Sequence, residues 1–289
     1  MVLTMDNRDG FIWLDGQLVD WRTANVHVLT HDMHYASAVF EGERAYNGVV
    51  FEQDKHHQRL IDGAKFMGMD VPWSLQDINK AVADNLAANG LTAAYVRPIV
   101  WRGADRLAVS APDATIHLAI AVWPWPKYFP DEVIQNGMRL DIAKWRRPSP
   151  QTAPATIKAA GLYMICTISK HKAEAKGCSD ALFMDWRGYV AEATGANVFF
   201  VKDGEVHTPL ADCFLNGITR QTVIQMLKDK GITVHERRIK PEEMADFEQC
   251  WLTGTAAEVT PVGQIGDYTF EVGDLTREIA EDYEKLVRA

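Results

Sequence analysis

The chain has 289 residues, of which 47% are hydrophobic and 24% charged, enough to build a sizeable core in one large or two ordinary domains. Its formal net charge of -9, with no basic block, argues against a nucleic-acid or anionic-membrane partner and for small molecules or a second copy of itself. Cys166, Cys178, Cys213 and Cys250 form no C-x-x-C pair, Asp6 and Asp9 stand where a signal peptide would be basic then apolar, and no uncharged apolar run reaches ~18 residues, so a reducing cytoplasm is expected.

In chain order, the sequence first predicts antiparallel hairpins, turning at Asp15-Gly16 within 11–20 and at Asn47-Gly48 within 43–52. Two helices follow: Leu60, Ala64 and Met67 recur at helical spacing within 54–69, and 74–90 opens on a Ser74 cap and ends at Asn89-Gly90. Strand chemistry returns at 93–103 and 114–126, which makes 1–125 an α+β unit. Pro126, Pro130, Pro148, Pro150 and Pro154 are too dense for a helix or a central strand, so 126–157 reads as a crossover, with an interdomain linker at 126–135. Residues 136–289 are expected to hold a helix after Lys158, a hairpin over 181–201, a helix over 219–231, strands near Val234 and at 250–254, and a helix over 276–288.

One lysine stands apart. Lys158 lies among Ala155, Ile157, Ala159, Ala160 and Gly161, whereas Lys170, Lys172 and Lys176 fall among polar residues. An ammonium group desolvated by apolar neighbours is driven toward the neutral amine, which condenses with aldehydes. A surface lysine at a loop-to-helix junction explains the same pattern, so its partners must decide. Pyridoxal phosphate, the commonest aldehyde cofactor, asks for a lysine, a carboxylate at its pyridinium nitrogen and donors for its phosphate. Glu192 sits between Ala191 and Ala193 on a predicted strand, where a flat ring could approach or water could solvate it. Gly217, Ile218 and Thr219 begin a helix whose open amides suit an anion, and Thr255, Ala256 and Ala257 form a second small-residue turn. Each also reads as an ordinary cap or turn. Arg59, in "HHQRL", would add positive charge or lie on the surface.

Taken in order, "HVLTHDMHYASAVFEGERAY" (27–46), "HHQRL" (56–60), "AYVRP" (94–98), "WPWPKY" (123–128), "IKAAGLY" (157–163), "VAEATGANVFFV" (190–201), "GITRQTVI" (217–224) and "GTAAEVTPV" (254–262) span nearly the entire chain. This series resembles the fold type IV, or class IV, pyridoxal-phosphate-dependent aminotransferases, and within them the branched-chain amino-acid aminotransferases. The resemblance implies an α/β (α+β) fold of two domains, a smaller N-terminal α/β domain and a larger C-terminal cofactor-binding domain, 136–289, with a β-barrel-like core. It implies that Lys158 holds the cofactor aldehyde and acts in catalysis, that Tyr163 bonds the ring oxygen, and that Glu192 pairs with the ring nitrogen. Arg59, Ile218, Thr219 and Thr255 would bind the phosphate. Tyr35, Phe40, Trp125 and Tyr128 would wall an apolar side-chain pocket, and Tyr95, Ala256 and Ala257 would lie near the substrate carboxylate. Arg97 would face the distal carboxylate of glutamate or 2-oxoglutarate. The reaction so implied is ping-pong transfer of an amino group between branched-chain L-amino acids and 2-oxoglutarate, in a homodimer or higher homo-oligomer.

The chain departs from the branched-chain pattern after "YVRP", where "RGADRLAVSAP" (102–112) replaces a loop of the form x-G-x-G. This leaves the amino donor open, since Arg102 and Arg106 would also suit an acidic or aromatic-acid donor. A D-amino-acid or amine transaminase, or an aminodeoxychorismate lyase, would share Lys158, Glu192 and the phosphate turns; Tyr35, Phe40 and "YVRP" favour the branched-chain reading. His31 and His34 stand at H-x-x-H spacing with His56 and His57 nearby, yet no compact third and fourth ligand appears, so no metal is expected. A non-catalytic α/β binding protein would have no need of Lys158, Tyr163 and Glu192 together.

Overall fold

The two turn dipeptides adopt the left-handed backbone that tight hairpins require, with φ of 48° and 100° at Asp15 and Gly16 and of 51° and 83° at Asn47 and Gly48. The computed structural model describes residues 4–125 and 131–289. The chain divides into two units, unit 1 of Met1–Pro126 and Ile157–Gly161, unit 2 of Lys127–Thr156 and Leu162–Ala289.

Unit 1 runs β1 (Phe11–Leu14), β2 (Gln17–Asp20), α1 (His31–Tyr35), β3 (Ala38–Phe40), β4 (Glu43–Tyr46), β5 (Val49–Val50), α2 (Gln53–Phe66), α3 (Leu75–Ala88), β6 (Ala94–Arg102) and β7 (Ile116–Pro124). Its antiparallel sheet has the order β2-β1-β7-β6-β4-β5, with β3 also pairing β6. A capping box opens α3: the Ser74 hydroxyl accepts from the Asp77 amide (3.2 Å) while the Asp77 carboxylate accepts from the Ser74 amide (2.9 Å). Val96, Val100, Leu118 and Ile120 of the sheet pack with Leu60 and Ala64 of α2 and Ile78, Val82 and Leu86 of α3. Strand side chains alternate, so this packing sends Tyr95, Arg97, Ile99 and Trp101 to the opposite face.

Unit 2 runs α4 (Asp131–Asn136), β8 (Met138–Arg147), α5 (Met164–Glu174), β9 (Asp180–Asp185), β10 (Val190–Ala193), β11 (Asn197–Lys202), β12 (Glu205–Pro209), α6 (Ile218–Asp229), β13 (Val234–Arg237), β14 (Gln249–Gly254), β15 (Glu258–Ile265), β16 (Tyr268–Thr269) and α7 (Asp274–Arg288). Because β10 pairs with both β9 and β11, the strands β10-β9-β8-β15-β14-β11 close into a barrel, which β12 and β13 extend from β11. Leu140, Leu182, Val198, Phe200, Leu252 and Val262 are among its buried core. The barrel is the β-barrel-like core that the family resemblance implies.

Two segments differ from the sequence reading. The expected crossover contains a central strand, β8, which runs parallel to both β9 and β15. The prolines fall on either side of it, so none of them interrupts the strand's own amides. The expected hairpin at 181–201 is three strands, β9, β10 and β11. Within the expected linker, 126–130 lie outside the described residues and α4 follows. Among the described residues no helix is long and apolar enough to cross a membrane.

Candidate active site

In unit 1 the backbone of Lys158 is fixed by β3: its carbonyl accepts from the Phe40 amide (3.1 Å), and Ala159 bridges to Val39. The lysine is half-buried, with Nζ 4.9 Å from the Phe40 ring centre. The same ring carries the Arg97 guanidinium at 4.8 Å, and Arg97 Nη2 donates to the Tyr95 hydroxyl (3.0 Å). Tyr95 packs on Trp125 (4.7 Å) and Trp123 (5.0 Å). A side chain at Gly42 would collide with the Tyr95 hydroxyl, so the glycine lets this ring lie where it does. Lys158, Phe40, Tyr95, Arg97 and Trp125 therefore form one cluster, with two cations against an aromatic wall. On the same sheet face, Arg97, Ile99 and Trp101 border a largely apolar cavity of about 240 Å³ with Leu14 and Met33. Tyr35 is exposed and packs on His31 at 4.7 Å, and Tyr128 lies outside the described residues.

Arg59, in the second turn of α2, is not an ordinary surface arginine. Its Nε (2.6 Å) and Nη2 (2.8 Å) donate to Glu41, which is fully buried and also meets His56 Nδ1 at 2.7 Å. Burial alone would raise the Glu41 carboxyl, but the charge of Arg59 and the hydrogen bonds from His56 and Arg59 outweigh it and hold the group down to about 2. An ionised carboxylate thus fixes the guanidinium. Beside it, buried Glu43 lies 3.3 Å from His57 Nε2; burial lowers the imidazole, but Glu43 more than reverses this and the net shift is upward. The other histidine pair also has local partners: His31 meets Ser37 Oγ (2.7 Å) and the Ala108 carbonyl (2.8 Å), and His34 the Val28 carbonyl (3.0 Å). In the 102–112 loop, Arg102 donates to the carbonyls of Met67, Gly68 and Ala111, while Arg106 is exposed.

In unit 2, Glu192 lies on β10, every residue of which is buried, so it is not a solvated strand carboxylate. Its Oε1 is 3.1 Å from Nε of Arg147, itself only 5% exposed at the end of β8, whose Nη1 donates to Cys166 Sγ (3.6 Å). Its Oε2 accepts from Asn197 Nδ2 (3.3 Å), the residue directly opposite on β11. The Asn197 amide also donates to the Leu215 carbonyl (3.0 Å) and accepts, through Oδ1, from the Gly217 amide (3.2 Å). Gly217 caps α6 without a side-chain hydrogen bond, and the next two residues, Ile218 and Thr219, are buried. A helix start leaves its first amides unpaired, and burying such a start without a cap suits an anion. Thr255, Ala256 and Ala257 form the turn between β14 and β15, closed by Thr260 Oγ1 donating to the Ala257 carbonyl (2.5 Å). Tyr163 ends a short helical turn and packs against Phe183, Ala191, Cys213 and Phe214.

The donor set fits pyridoxal phosphate. A buried carboxylate held by an arginine and an asparagine offers a fixed acceptor to a ring N–H, and a buried uncapped helix start suits a dianion. Sequence reasoning missed Glu41, Arg147 and Asn197 and weighed His56 only as a metal ligand; these four hold the expected residues in place. Glu41, His56 and Asn197 lay inside stretches already singled out, but only the folded chain shows what they face, across to α2 for Glu41 and across the β10–β11 pairing for Asn197.

A family model described as amino-transferase class IV matches residues 38–265. A probable branched-chain-amino-acid aminotransferase of Rickettsia felis is 42% identical, the alignment covering 96% of each chain. The solved structure of the Escherichia coli branched-chain amino acid aminotransferase matches with a TM-score of 0.93 at 34% identity, over 97% of this chain and 95% of that one. That of the T.th. branched-chain amino acid aminotransferase complexed with N-(5'-phosphopyridoxyl)-L-glutamate matches with a TM-score of 0.92 at 33% identity, over the same shares.

Proposed function

This chain belongs to the class IV aminotransferases, and on that premise we propose that it moves amino groups between branched-chain L-amino acids and 2-oxoglutarate, with pyridoxal 5'-phosphate as cofactor. The observation that carries the cofactor reading is the buried Glu192 carboxylate held between Arg147 and Asn197. When bound, the cofactor supplies an electron sink for breaking the Cα–H bond of an amino acid. Lys158 would hold the cofactor at its aldehyde end through Nζ, and the same nitrogen would take and return the Cα proton. Glu192 would hold a proton at the ring nitrogen, Tyr163 would donate to the ring oxygen, and Arg59, Ile218, Thr219 and Thr255 would bind the phosphate.

The donor assignment rests on Phe40, Tyr95 and Trp125, an apolar wall for a branched side chain, with Tyr35 and Tyr128 as further members and Tyr95, Ala256 and Ala257 toward the substrate carboxylate. Arg97, held by Tyr95, would take the distal carboxylate of 2-oxoglutarate, and the phosphopyridoxyl-glutamate complex of the T.th. relative supports this second half-reaction. The backbone carbonyls bonded to Arg102 argue against that residue as a reader of acidic donors. Exposed Val26, Val28, Leu29 and Met33, close together in sequence, support a homodimer or higher homo-oligomer, and the acidic, free-thiol composition supports a cytoplasmic setting. Assay of the cofactor-loaded protein with 2-oxoglutarate against leucine, isoleucine, valine, D-amino acids and simple amines tests the reading. Turnover confined to the first three is expected, and preference for a D-amino acid or an amine would overturn the substrate assignment.

A further inference from the structure

We propose that Asn197 is a positioning residue that couples the two ends of the cofactor cradle in unit 2, holding Glu192 through its amide nitrogen and the start of α6 through its amide oxygen. The inference rests on the cofactor reading above and adds a role for a side chain that need not touch the cofactor. An asparagine amide offers two N–H donors and one carbonyl acceptor. Here Nδ2 reaches Glu192 Oε2 (3.3 Å) and the Leu215 carbonyl (3.0 Å), both obligate acceptors, and Oδ1 faces the Gly217 N–H (3.2 Å), an obligate donor. Reversing the amide would set oxygen against two oxygens and nitrogen against a donor, so the chemistry allows one orientation only. Asn197 is 5% exposed, so water is poorly placed to replace these bonds if the side chain is lost.

The connectivity gives the role its meaning. Glu192 and Asn197 are paired residues across the β10–β11 turn, and Gly217 is the cap residue from which Ile218 and Thr219 follow. One side chain thus links the carboxylate assigned to the ring nitrogen with the helix start assigned to the phosphate. The approach is close enough that a Cβ at Gly217 would collide with Asn197 Oδ1. A cofactor whose ring nitrogen and phosphate are separated by a rigid ring needs both partners at a fixed spacing, and a shared bridging amide sets it.

The test uses the full-length protein freed of cofactor and two fragments that report on the ends separately: inorganic phosphate, and 4-deoxypyridoxine, which keeps the ring nitrogen but has no aldehyde to condense with Lys158. Each is measured by competition against pyridoxal phosphate. Asn197→Ala is expected to weaken both fragments by about 10-fold, the size of one lost hydrogen bond to a charged group. In a Glu192→Gln background it should no longer weaken 4-deoxypyridoxine yet should still weaken phosphate, because the ring end is reached only through Glu192. Asn197→Asp, nearly the same shape, replaces the donor facing Glu192 Oε2 and the Leu215 carbonyl with a second acceptor, and should weaken 4-deoxypyridoxine at least as much as Asn197→Ala. Loss of thermal stability in either variant with both fragment affinities within about 2-fold of wild type would overturn the proposal, because one lost bond exceeds that. So would equal losses of 4-deoxypyridoxine binding with and without Glu192. A wild-type protein that binds neither pyridoxal phosphate nor the fragments would instead overturn the cofactor reading, and this inference with it.

Discussion

Arg147 supplies the positive charge that faces Glu192, and the pair is almost wholly buried. Removing one member of such a pair strands the other charge, at a cost of about 3 to 5 kcal/mol unless it takes up a proton. Arg147→Met is therefore predicted to weaken pyridoxal phosphate binding by at least about 10-fold, with Arg147→Lys recovering part of the loss. Titration of the cofactor-free variants measures this, and unchanged affinity in Arg147→Met would contradict it. Glu41 makes a second prediction, on stability. Its folded value of about 2 lies below the ordinary one, so its contribution is complete above the ordinary carboxylate range and drains away as pH falls toward 2. That contribution is on the order of 3 kcal/mol, and Glu41→Gln should remove it near neutrality and flatten the acid limb of a melting-temperature profile. His57 runs the other way: its value is raised, so the stabilisation is present below the usual imidazole range and is lost as pH climbs through the raised value. Glu43→Gln should abolish that alkaline loss. These partners were hardly legible beforehand, because a sequence displays Arg59 and Glu192 as residue types but not the carboxylate or guanidinium that faces them.

At the scale of the element, legibility followed locality. The hairpins at Asp15-Gly16 and Asn47-Gly48 and the start of α3 at Ser74 are decided by backbone chemistry within a few residues, and each was read from sequence. Ser74→Ala is accordingly expected to lower stability by about 0.5 to 2 kcal/mol, read from chemical denaturation, and no loss would mean that the capping box is idle. β8 escaped the reading because its flanking prolines dominate the local signal, while its strand state is enforced by β9 and β15, the latter contributed from far along the chain. The place of β10 in the barrel was hidden for a related reason. Its alternation marks a strand carrying Glu192 within the expected hairpin, but nothing in four residues shows that it is a separate middle strand paired to β9 on one side and β11 on the other. The helix start at Gly217 was visible as a phosphate candidate, yet its lack of a side-chain cap and its burial, which separate an anion site from an ordinary cap, belong to the folded unit.

For the whole molecule, the ordered series of motifs was enough to expect two domains, a barrel and a transaminase, since a family pattern is carried by residues whose types survive in one dimension. Barrel closure itself was not visible: it depends on β10 meeting β11 as well as β9. The homo-oligomer is a prediction at this scale, and sedimentation should find at least a dimer, with Val28→Asp, at an exposed apolar position, shifting it toward monomer. The central claim concerns one nitrogen, Lys158 Nζ. Reducing the cofactor-loaded protein with borohydride and mapping the pyridoxyl label by mass tests it most directly, alongside single-turnover rates of Lys158→Ala. The account predicts the label on the peptide that carries Lys158 and a rate at least about 100-fold slower in the variant, the smaller end of what a positioned proton-transfer group supplies. A label on another lysine, or an unchanged rate without Lys158, would contradict it.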